Sequence, residues 1–186
     1  LEYGVDENAA EIARLLSRLG IGINLRFVRG ISTHDVGRLG SATLNILREP
    51  ALRPVGEDLR RRFGAPYIDS FPTGLGGTCH FLEEVGCTCG IDASIAVEEE
   101  RAYQAAMLEG FADIAGSRIC FQTAHPMLGV DPDARAILDE CIEVLDLTVT
   151  SGGVQIPVPC PAPVGTSGFR RMLHRWRRLI RETRRR

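Results

Sequence analysis

The stretch that decides the fold runs from Pro66 to Gly86 and reads PYIDSFPTGLGGTCHFLEEVG. An apolar run ends in a proline, three glycines follow within four residues, and apolar residues then recur at helical spacing. This order predicts a strand, a tight glycine-rich turn and the start of a helix. The first backbone N–H groups of such a helix carry the positive end of its dipole, so this corner suits an anionic or polar ligand.

Two familiar phosphate-binding loops are excluded at this corner. A Walker-type loop needs a lysine that reaches the phosphates, whereas all 22 basic residues of this chain are arginines. The dinucleotide pattern G-x-G-x-x-G is not met either, because Gly74, Gly76 and Gly77 lack a third glycine at the required offset. We therefore interpret Gly76, Gly77 and Thr78 as candidate ligand-binding positions for a ligand of unassigned identity.

A second corner near the end of the chain is similar to the first. PTGLGGT at 72–78 and PAPVGTS at 161–167 share the pattern P-x-x-[LV]-G, with a hydroxyl residue two positions later. The repeat indicates two related α/β units. It adds Gly165 and Thr166 to the candidate ligand-binding residues.

Strand and helix patterns alternate along the chain, which is typical of a parallel sheet covered by helices on both faces. We predict an α/β protein with two Rossmann-like units joined by a linker helix. Residues 1–90 are expected to form the first unit, with about four strands. Residues 91–186 are expected to form the linker helix and a smaller, incomplete second unit with a basic C-terminal helix. Predicted strands include INLRFV (23–28), ATLNIL (42–47), APYIDSF (65–71) and SRICFQTA (117–124).

The linker helix is predicted from Ala96 onward. Its candidate buried positions are Val97, Ala102, Ala105, Ala106 and Leu108.

Charge is distributed unevenly along the chain. The formal net charge is only −2, so no general affinity for polyanions follows, but nine arginines lie between Arg170 and Arg186. The same segment carries an apolar stripe at helical spacing, which predicts a helix packed on the body with arginines on its other face. We favour a partner-facing or solvated surface there and consider nucleic-acid binding unlikely, since no nucleic-acid-binding motif accompanies the arginines. The stripe consists of Phe169, Met172, Leu173, Trp176, Leu179 and Ile180.

The six cysteines do not form a recognisable metal or disulfide pattern. Only Cys87 and Cys89 are close, as C-x-C, which is a weak signal for a metal. We predict no metal site and interpret the cysteines as buried or incidental thiols in a reducing, cytoplasmic setting. No signal peptide or membrane-spanning run is visible. Because the chain begins at Leu1, we expect it to be a piece of a longer protein.

The order of elements from Gly40 to Gly86 resembles the middle domain of the nitrogenase component 1 type oxidoreductases. It has an Asn-bearing strand, a helix ending FG-x-P-Y, a strand, a Pro/Gly corner and then T…FL. The resemblance continues through EEERAYQAAM (98–107), GSRICF (116–121) and PAPVGTSGFRRML (161–173). It covers most of the chain in order.

The resemblance implies a subunit, or a fragment of one, of the catalytic component of a nitrogenase-like reductase. Members of this family include nitrogenase and the tetrapyrrole reductases. The implied partners are a homologous component subunit and an ATP-dependent iron–sulfur reductase protein. The implied cofactor is an iron–sulfur cluster in the full complex, not clearly ligated by this chain.

Two departures disfavour nitrogenase itself. Where the family's cofactor-ligating cysteine would lie, this chain has Arg48 and Glu49, and glutamate is not a thiolate. Where its histidine ligand would lie, the chain has Cys160 but no histidine. A tetrapyrrole reductase-like protein or another paralogue within the family is therefore favoured.

Three residues are candidate catalytic groups. Arg48 and Glu49 follow a predicted strand, at the edge where open α/β sheets bind ligands; the alternative is a solvated pair that caps the next helix. His125 follows the strand RICFQTA and suits a proton donor, because imidazole titrates near neutrality; the alternative is a structural or exposed histidine. A second function class also stays open, namely a non-catalytic α/β module that binds a small anion or a partner.

Overall fold

The computed structural model describes residues 5–26, 32–122 and 132–184. Within these ranges the chain forms seven α-helices and five short β-strands. The helices are α1 (Val5–Arg18), α2 (Thr33–Val36), α3 (Arg53–Phe63), α4 (Gly74–Cys89), α5 (Ser94–Glu109), α6 (Pro132–Val144) and α7 (Gly165–Arg184). The strands are β1 (Asn45–Ile46), β2 (Tyr67–Ile68), β3 (Arg118–Gln122), β4 (Thr148–Val149) and β5 (Val154–Pro157).

The described strands form two parallel sheets. β1 pairs with β2, with Ile46 opposite Ile68. The second sheet has the order β4-β3-β5, and Ile119 of β3 is opposite both Val149 and Val154. Parallel strands need helical crossovers, and α3 and α6 supply them. The predicted α/β class with parallel sheets is confirmed.

The first sheet is smaller than predicted. Its described part has two strands of two residues each rather than about four strands. Residues 23–26 of the predicted strand INLRFV do not form a strand, and 27–31 lie outside the described residues. Asn24 explains the difference, because its side-chain amide donates to the carbonyl of Arg38 at 2.8 Å and its own carbonyl accepts from the Arg38 guanidinium at 2.6 Å. These two hydrogen bonds, each with a side-chain donor, fix residues 23–26 where the backbone bonds of a strand were predicted.

The sequence predicts two helix ends from local signals, namely a capping serine at Ser32 and a terminal glycine at Gly64. Ser32 and Asp35 form a capping box at the start of α2, and Gly64 ends α3 in the left-handed conformation. The first glycine corner differs from the prediction. α4 begins at Gly74, so Gly76 and Gly77 lie in the first turn of the helix rather than in a turn before it.

The buried apolar residues of the described chain form two clusters. The first joins α1 to α4 and includes Leu15, Phe81 and Leu82. The second packs α6 and α7 on the β3–β5 sheet and includes Phe169 and Trp176. α5 begins in the first cluster and ends in the second. Burial of each such large side chain stabilises the fold by about 1.5–3 kcal/mol. The predicted stripe of α7 is confirmed, with Leu179 at its partly buried margin.

The predicted inner face of α5 is wrong in part. Val97 is buried, but Ala102, Ala105 and Ala106 are exposed. Their places on the inner face are taken by Glu100 and Gln104, which are 0% and 8% exposed. This face of α5 contacts polar groups of α1, α4 and α7, so its buried positions do not show an apolar pattern.

A buried ion cluster, which comprises Glu11, Arg14 and Glu100, joins α1 to α5. The Arg14 guanidinium donates to both Glu11 oxygens at 2.8 Å and to the Glu100 oxygens at 2.7 and 2.8 Å. Thr166 of α7 donates to Glu100 at 2.6 Å. A buried carboxylate is costly unless it is paired and hydrogen-bonded. Here every buried side-chain N or O atom of the described residues has a partner.

Gly165 allows this cluster to reach α7. The first residue of α7 has a φ of +63°, and a Cβ at this position would overlap the Cγ, Cδ and Oε1 atoms of Glu11. Glu11 then accepts from the Ser167 amide at 3.0 Å and from the Ser167 hydroxyl at 2.6 Å. The side chain of α1 thus packs directly on the backbone of α7.

We expect Gly165→Ala to lower the free energy of unfolding by at least about 2 kcal/mol, because it combines a left-handed backbone with displacement of Glu11. Chemical denaturation measures the change. Gly90→Ala is the matched control, since Gly90 has a φ of +69° and open space around its would-be Cβ. Equal losses in the two variants would show that the Glu11 contact adds nothing.

We also expect a pH dependence from Glu11. Burial raises its pKa, but hydrogen bonds from Arg14 and Ser167 outweigh burial and hold the pKa below the ordinary value of 4.5. A lowered pKa contributes stability that is present above about pH 4.5 and is lost as the pH falls toward the folded-state pKa. Denaturant titrations at several pH values between pH 5 and pH 3, a window of about two pH units, measure the free energy of unfolding. As the pH falls, this free energy should decrease less for Glu11→Gln than for the unaltered chain. Parallel curves would contradict this role.

Candidate functional site

The two glycine corners lie side by side. Thr73 and Val164 form an isolated antiparallel bridge, and the Gly165 amide donates to the Pro72 carbonyl at 2.7 Å. The next residue in each corner is the first residue of a helix and has a positive φ, +71° at Gly74 and +63° at Gly165. In the structure, Gly74 is therefore the equivalent of Gly165. The sequence pattern instead aligns Gly165 with Gly76, two residues further along the chain.

A carboxylate of the chain itself occupies each helix start. At α4, Glu140 of α6 accepts from the Leu75 amide at 2.8 Å and from the Gly76 amide at 2.7 Å. At α7, Glu11 accepts from Ser167 in the same manner. Helix N-termini favour anions, and here internal glutamates supply them. An external anion at either corner would compete with one of these carboxylates.

The candidate ligand-binding residues divide by exposure. Gly76 is exposed and Gly77 is half-buried. The Thr78 and Thr166 side chains are buried, and their hydroxyl groups donate to the Gly74 carbonyl and to Glu100, respectively. Gly165 is buried beneath Glu11. The ligand-binding role of these residues stays a prediction, and Gly76 is the member with direct access to solvent.

Gly76 lies in an open pocket between α4, α5 and α6 with a volume of about 430 Å³. His80, Glu83 and Arg101 line its rim, and the Arg101 guanidinium lies 3.5 Å from Glu83. Cys79 and Gln104 also line the pocket, and both are buried. Burial raises the pKa of the Cys79 thiol, so this thiol is protonated at neutral pH. The pocket therefore presents charged side chains of both signs, and Cys79 does not act there as a thiolate nucleophile.

Arg48 and Glu49 lie two and three residues after the end of β1, at the carboxyl edge of the first sheet. The Arg48 guanidinium lies 4.7 Å from the centroid of Phe71, which follows β2. Such a stack holds an arginine by a cation–π contact. Glu49 is exposed, and its side chain makes no capping bond to the short 3₁₀ turn that follows it. Arg53 pairs with Asp69 at the same edge. The edge thus presents a positioned guanidinium beside an aromatic ring.

His125 lies outside the described residues, which resume at 132. Its role as a proton donor at the edge of a sheet stays a prediction.

The described residues do not fit an iron–sulfur cluster. Among residues 5–26, 32–122 and 132–184, no group of three or more Cys, His, Asp or Glu side chains is placed to hold a metal ion. Burial raises the pKa of Cys89 and, more strongly, of Cys141, which disfavours the thiolate form that binds iron. Cys87 and Cys160 are exposed in separate parts of the fold. A cluster would need ligands from elsewhere.

Sequence reasoning missed three acidic residues that shape the corners, namely Glu11, Glu100 and Glu140. Glu11 lies four residues before Leu15, in line with the apolar stripe of α1. An acidic residue within an apolar stripe is the signal that could have identified it.

No described helix combines the length and the apolar character that a membrane span requires.

Comparison with known proteins places the chain in a family. Residues 1–149 match the family model of the nitrogenase component 1 type oxidoreductases. The B subunit of the light-independent protochlorophyllide reductase of Halorhodospira halophila (strain DSM 244 / SL1) is 37% identical over 106 residues, which are 56% of this chain and 20% of that protein. The corresponding protein of Methylobacterium radiotolerans is 39% identical over 87 residues, which are 46% of this chain and 16% of that protein. The matches thus span about a fifth of the length of these relatives.

The solved structure "Nitrogenase Cp1 at pH 5" has a similar fold. Its TM-score is 0.56 at 18% identity, over 80% of this chain and 30% of that chain. A second structure, "Nitrogenase Cp1 at pH 6.5", gives the same TM-score of 0.56 at 19% identity. These likenesses concern the fold alone. Because the family model extends over most of the residues, from the first to residue 149, this chain belongs to the nitrogenase component 1 type oxidoreductase family.

Proposed function

We propose that this chain is part of the catalytic component of a nitrogenase-like reductase that reduces a tetrapyrrole. The observation that carries the proposal is the edge of the first sheet, where Arg48 stacks on Phe71 and where the two described segments that form it, residues 45–49 and 67–71, include no cysteine. A tetrapyrrole is a flat aromatic ring that bears carboxylates. A guanidinium beside an aromatic ring matches both features, whereas a metal cluster requires thiolates. The identity to the B subunits of light-independent protochlorophyllide reductases supports the same class of substrate.

Each candidate residue has a distinct role in this proposal. Arg48 binds a substrate carboxylate and orients the ring. Glu49, exposed at the same edge, and His125 donate the protons that accompany reduction. Gly76 and Gly77 form the adjoining wall of the substrate crevice, and the buried Thr78, Gly165 and Thr166 support that wall from within.

The electrons come from outside the described residues. The proposed donor is an ATP-dependent iron–sulfur reductase protein, and a homologous subunit completes the component. The iron–sulfur cluster of the full complex supplies single electrons. The described cysteines do not fit such a cluster, so its ligands are expected in the partner subunit or in other segments of the complete protein.

Reconstitution tests the proposal. The complete protein that carries this chain is combined anaerobically with its homologous subunit, a reduced iron–sulfur reductase protein, ATP and protochlorophyllide, and chlorophyllide is measured by absorbance. We expect product only when ATP and the reductase are both present. Reversible small-molecule binding without turnover, by a protein free of iron and acid-labile sulfide, would overturn the proposal in favour of a non-catalytic binding module.

For Arg48→Ala we expect at least a tenfold loss of kcat/KM in this assay, with an unchanged thermal unfolding midpoint, because one charge-assisted contact to the substrate disappears. Arg61→Ala is the matched control, since Arg61 is exposed on α3 and pairs with Asp58 of the same helix. The control should keep the activity of the unaltered protein. Unchanged turnover in Arg48→Ala would remove this residue from the site.

A further inference from the structure

We propose that the outer surface of α7 docks a partner protein through a carboxylate-rich patch on that partner. This arginine face consists of Arg170, Arg171, Arg175 and Arg178, which are all exposed. The proposal rests on contacts of α7 alone. It does not depend on the proposed reductase function.

The arginines of α7 divide into two sets by their contacts. The inner set already has partners in the chain, and Asp113 is the common one. Arg177 donates to the Asp113 carboxylate at 2.8 Å, Arg181 lies 2.9 Å from it, and Arg184 donates to the Asp113 carbonyl at 3.0 Å. The hydrogen bonds from Arg177 and Arg181 hold the pKa of the Asp113 carboxyl below its ordinary value. The inner set attaches α7 to the body.

The arginine face is the outer set, and described residues compensate the charge of only one of its four members. Arg170, Arg171 and Arg175 make no ion pair or hydrogen bond within the described part of the chain, and Arg178 lies 4.0 Å from Glu182. Arg171 and Arg175 are four residues apart, which places their Cβ atoms about 5–6 Å from each other, where like charges repel. Four guanidinium groups therefore face solvent over about 12 Å of helix.

The helix presents this face rigidly. Its opposite side is buried in the core, with Trp176 1% exposed and Phe169 0% exposed. The apolar stripe is therefore not available for insertion into a lipid surface, as an interfacial membrane helix would require. The arginine side chains alone remain for contact with a partner.

Carboxylates fit this face better than a nucleic acid does. The same helix already binds a carboxylate with Arg177 and Arg181, so the helix itself shows this recognition mode. Nucleic-acid surfaces usually combine arginines with aromatic side chains that stack on bases. The arginine face has only His174 between its arginines, and that ring contacts Phe111, with 4.9 Å between ring centroids.

The charge of the remaining chain points the same way. Residues 170–186 hold nine arginines and one glutamate, so residues 1–169 carry a net charge of −10. That acidic remainder repels a polyanion that is long enough to extend beyond α7. The separation of charge between α7 and the rest of this chain instead orients an approaching protein that has a local acidic patch. Such orientation raises the association rate and makes binding sensitive to salt.

The test uses the complete protein and two fluorescent probes of equal charge, a deca-glutamate peptide and a single-stranded DNA of matching net charge. Anisotropy is measured at about 20 mM and about 200 mM NaCl, a range over which surface electrostatics weaken strongly. We expect the peptide to bind more tightly than the DNA and to lose affinity with salt. Arg171→Gln/Arg175→Gln/Arg178→Gln should weaken peptide binding at least about fivefold.

Arg60→Gln/Arg61→Gln/Arg62→Gln is the matched control. It removes the same charge from exposed arginines of α3 that have acidic neighbours on their own helix, and it should change peptide binding less than about twofold. Far-ultraviolet circular dichroism checks that both triple variants are folded. Tighter binding of the DNA, or equal losses in the two variants, would overturn the proposal.

Discussion

The first turn of α7 is fixed against α1 by one carboxylate, that of Glu11. It lies on the backbone of Gly165, accepts two hydrogen bonds from Ser167 and shares Arg14 with Glu100. Desolvation of two carboxylates opposes folding, and the guanidinium between them with the surrounding donors offsets that cost. Arg18 adds a second positive charge 3.2 Å from Glu100. The contact is specific because only a residue without a Cβ leaves room for it.

The elements that sequence reasoning predicted well are those with strong local signals. Ser32 with Asp35, and Gly64 after α3, define helix ends through bonds within a few residues. The apolar stripe of α7 predicts its buried side because nothing polar interrupts it. The strand prediction for residues 23–26 was wrong for the opposite reason. Contacts between Asn24 and Arg38, fourteen residues away, override the β-forming pattern of this segment.

The candidate site was predictable in location but not in composition. The rule that ligands bind at the carboxyl ends of parallel strands identified Arg48 and Glu49, yet the stack of Arg48 on Phe71 joins two strands and has no signal in either segment alone. Glutamates at 11, 100 and 140 resemble surface residues in the sequence. Their engagement follows from tertiary contacts between distant helices: Glu11 and Glu100 are buried, and the half-buried Glu140 accepts hydrogen bonds from α4, sixty-four and sixty-five residues away.

Gln104 gives the paired corners a mechanical consequence. Its side-chain nitrogen donates to the Leu75 carbonyl at 3.0 Å and to the Thr166 hydroxyl at 3.2 Å, so one amide of α5 touches the first turns of both α4 and α7. An amide nitrogen has two hydrogens, and both are engaged. A molecule that draws one helix start outward must therefore break one of these bonds or displace the other helix with it. Displacement of one helix start is thus coupled to the other through Gln104.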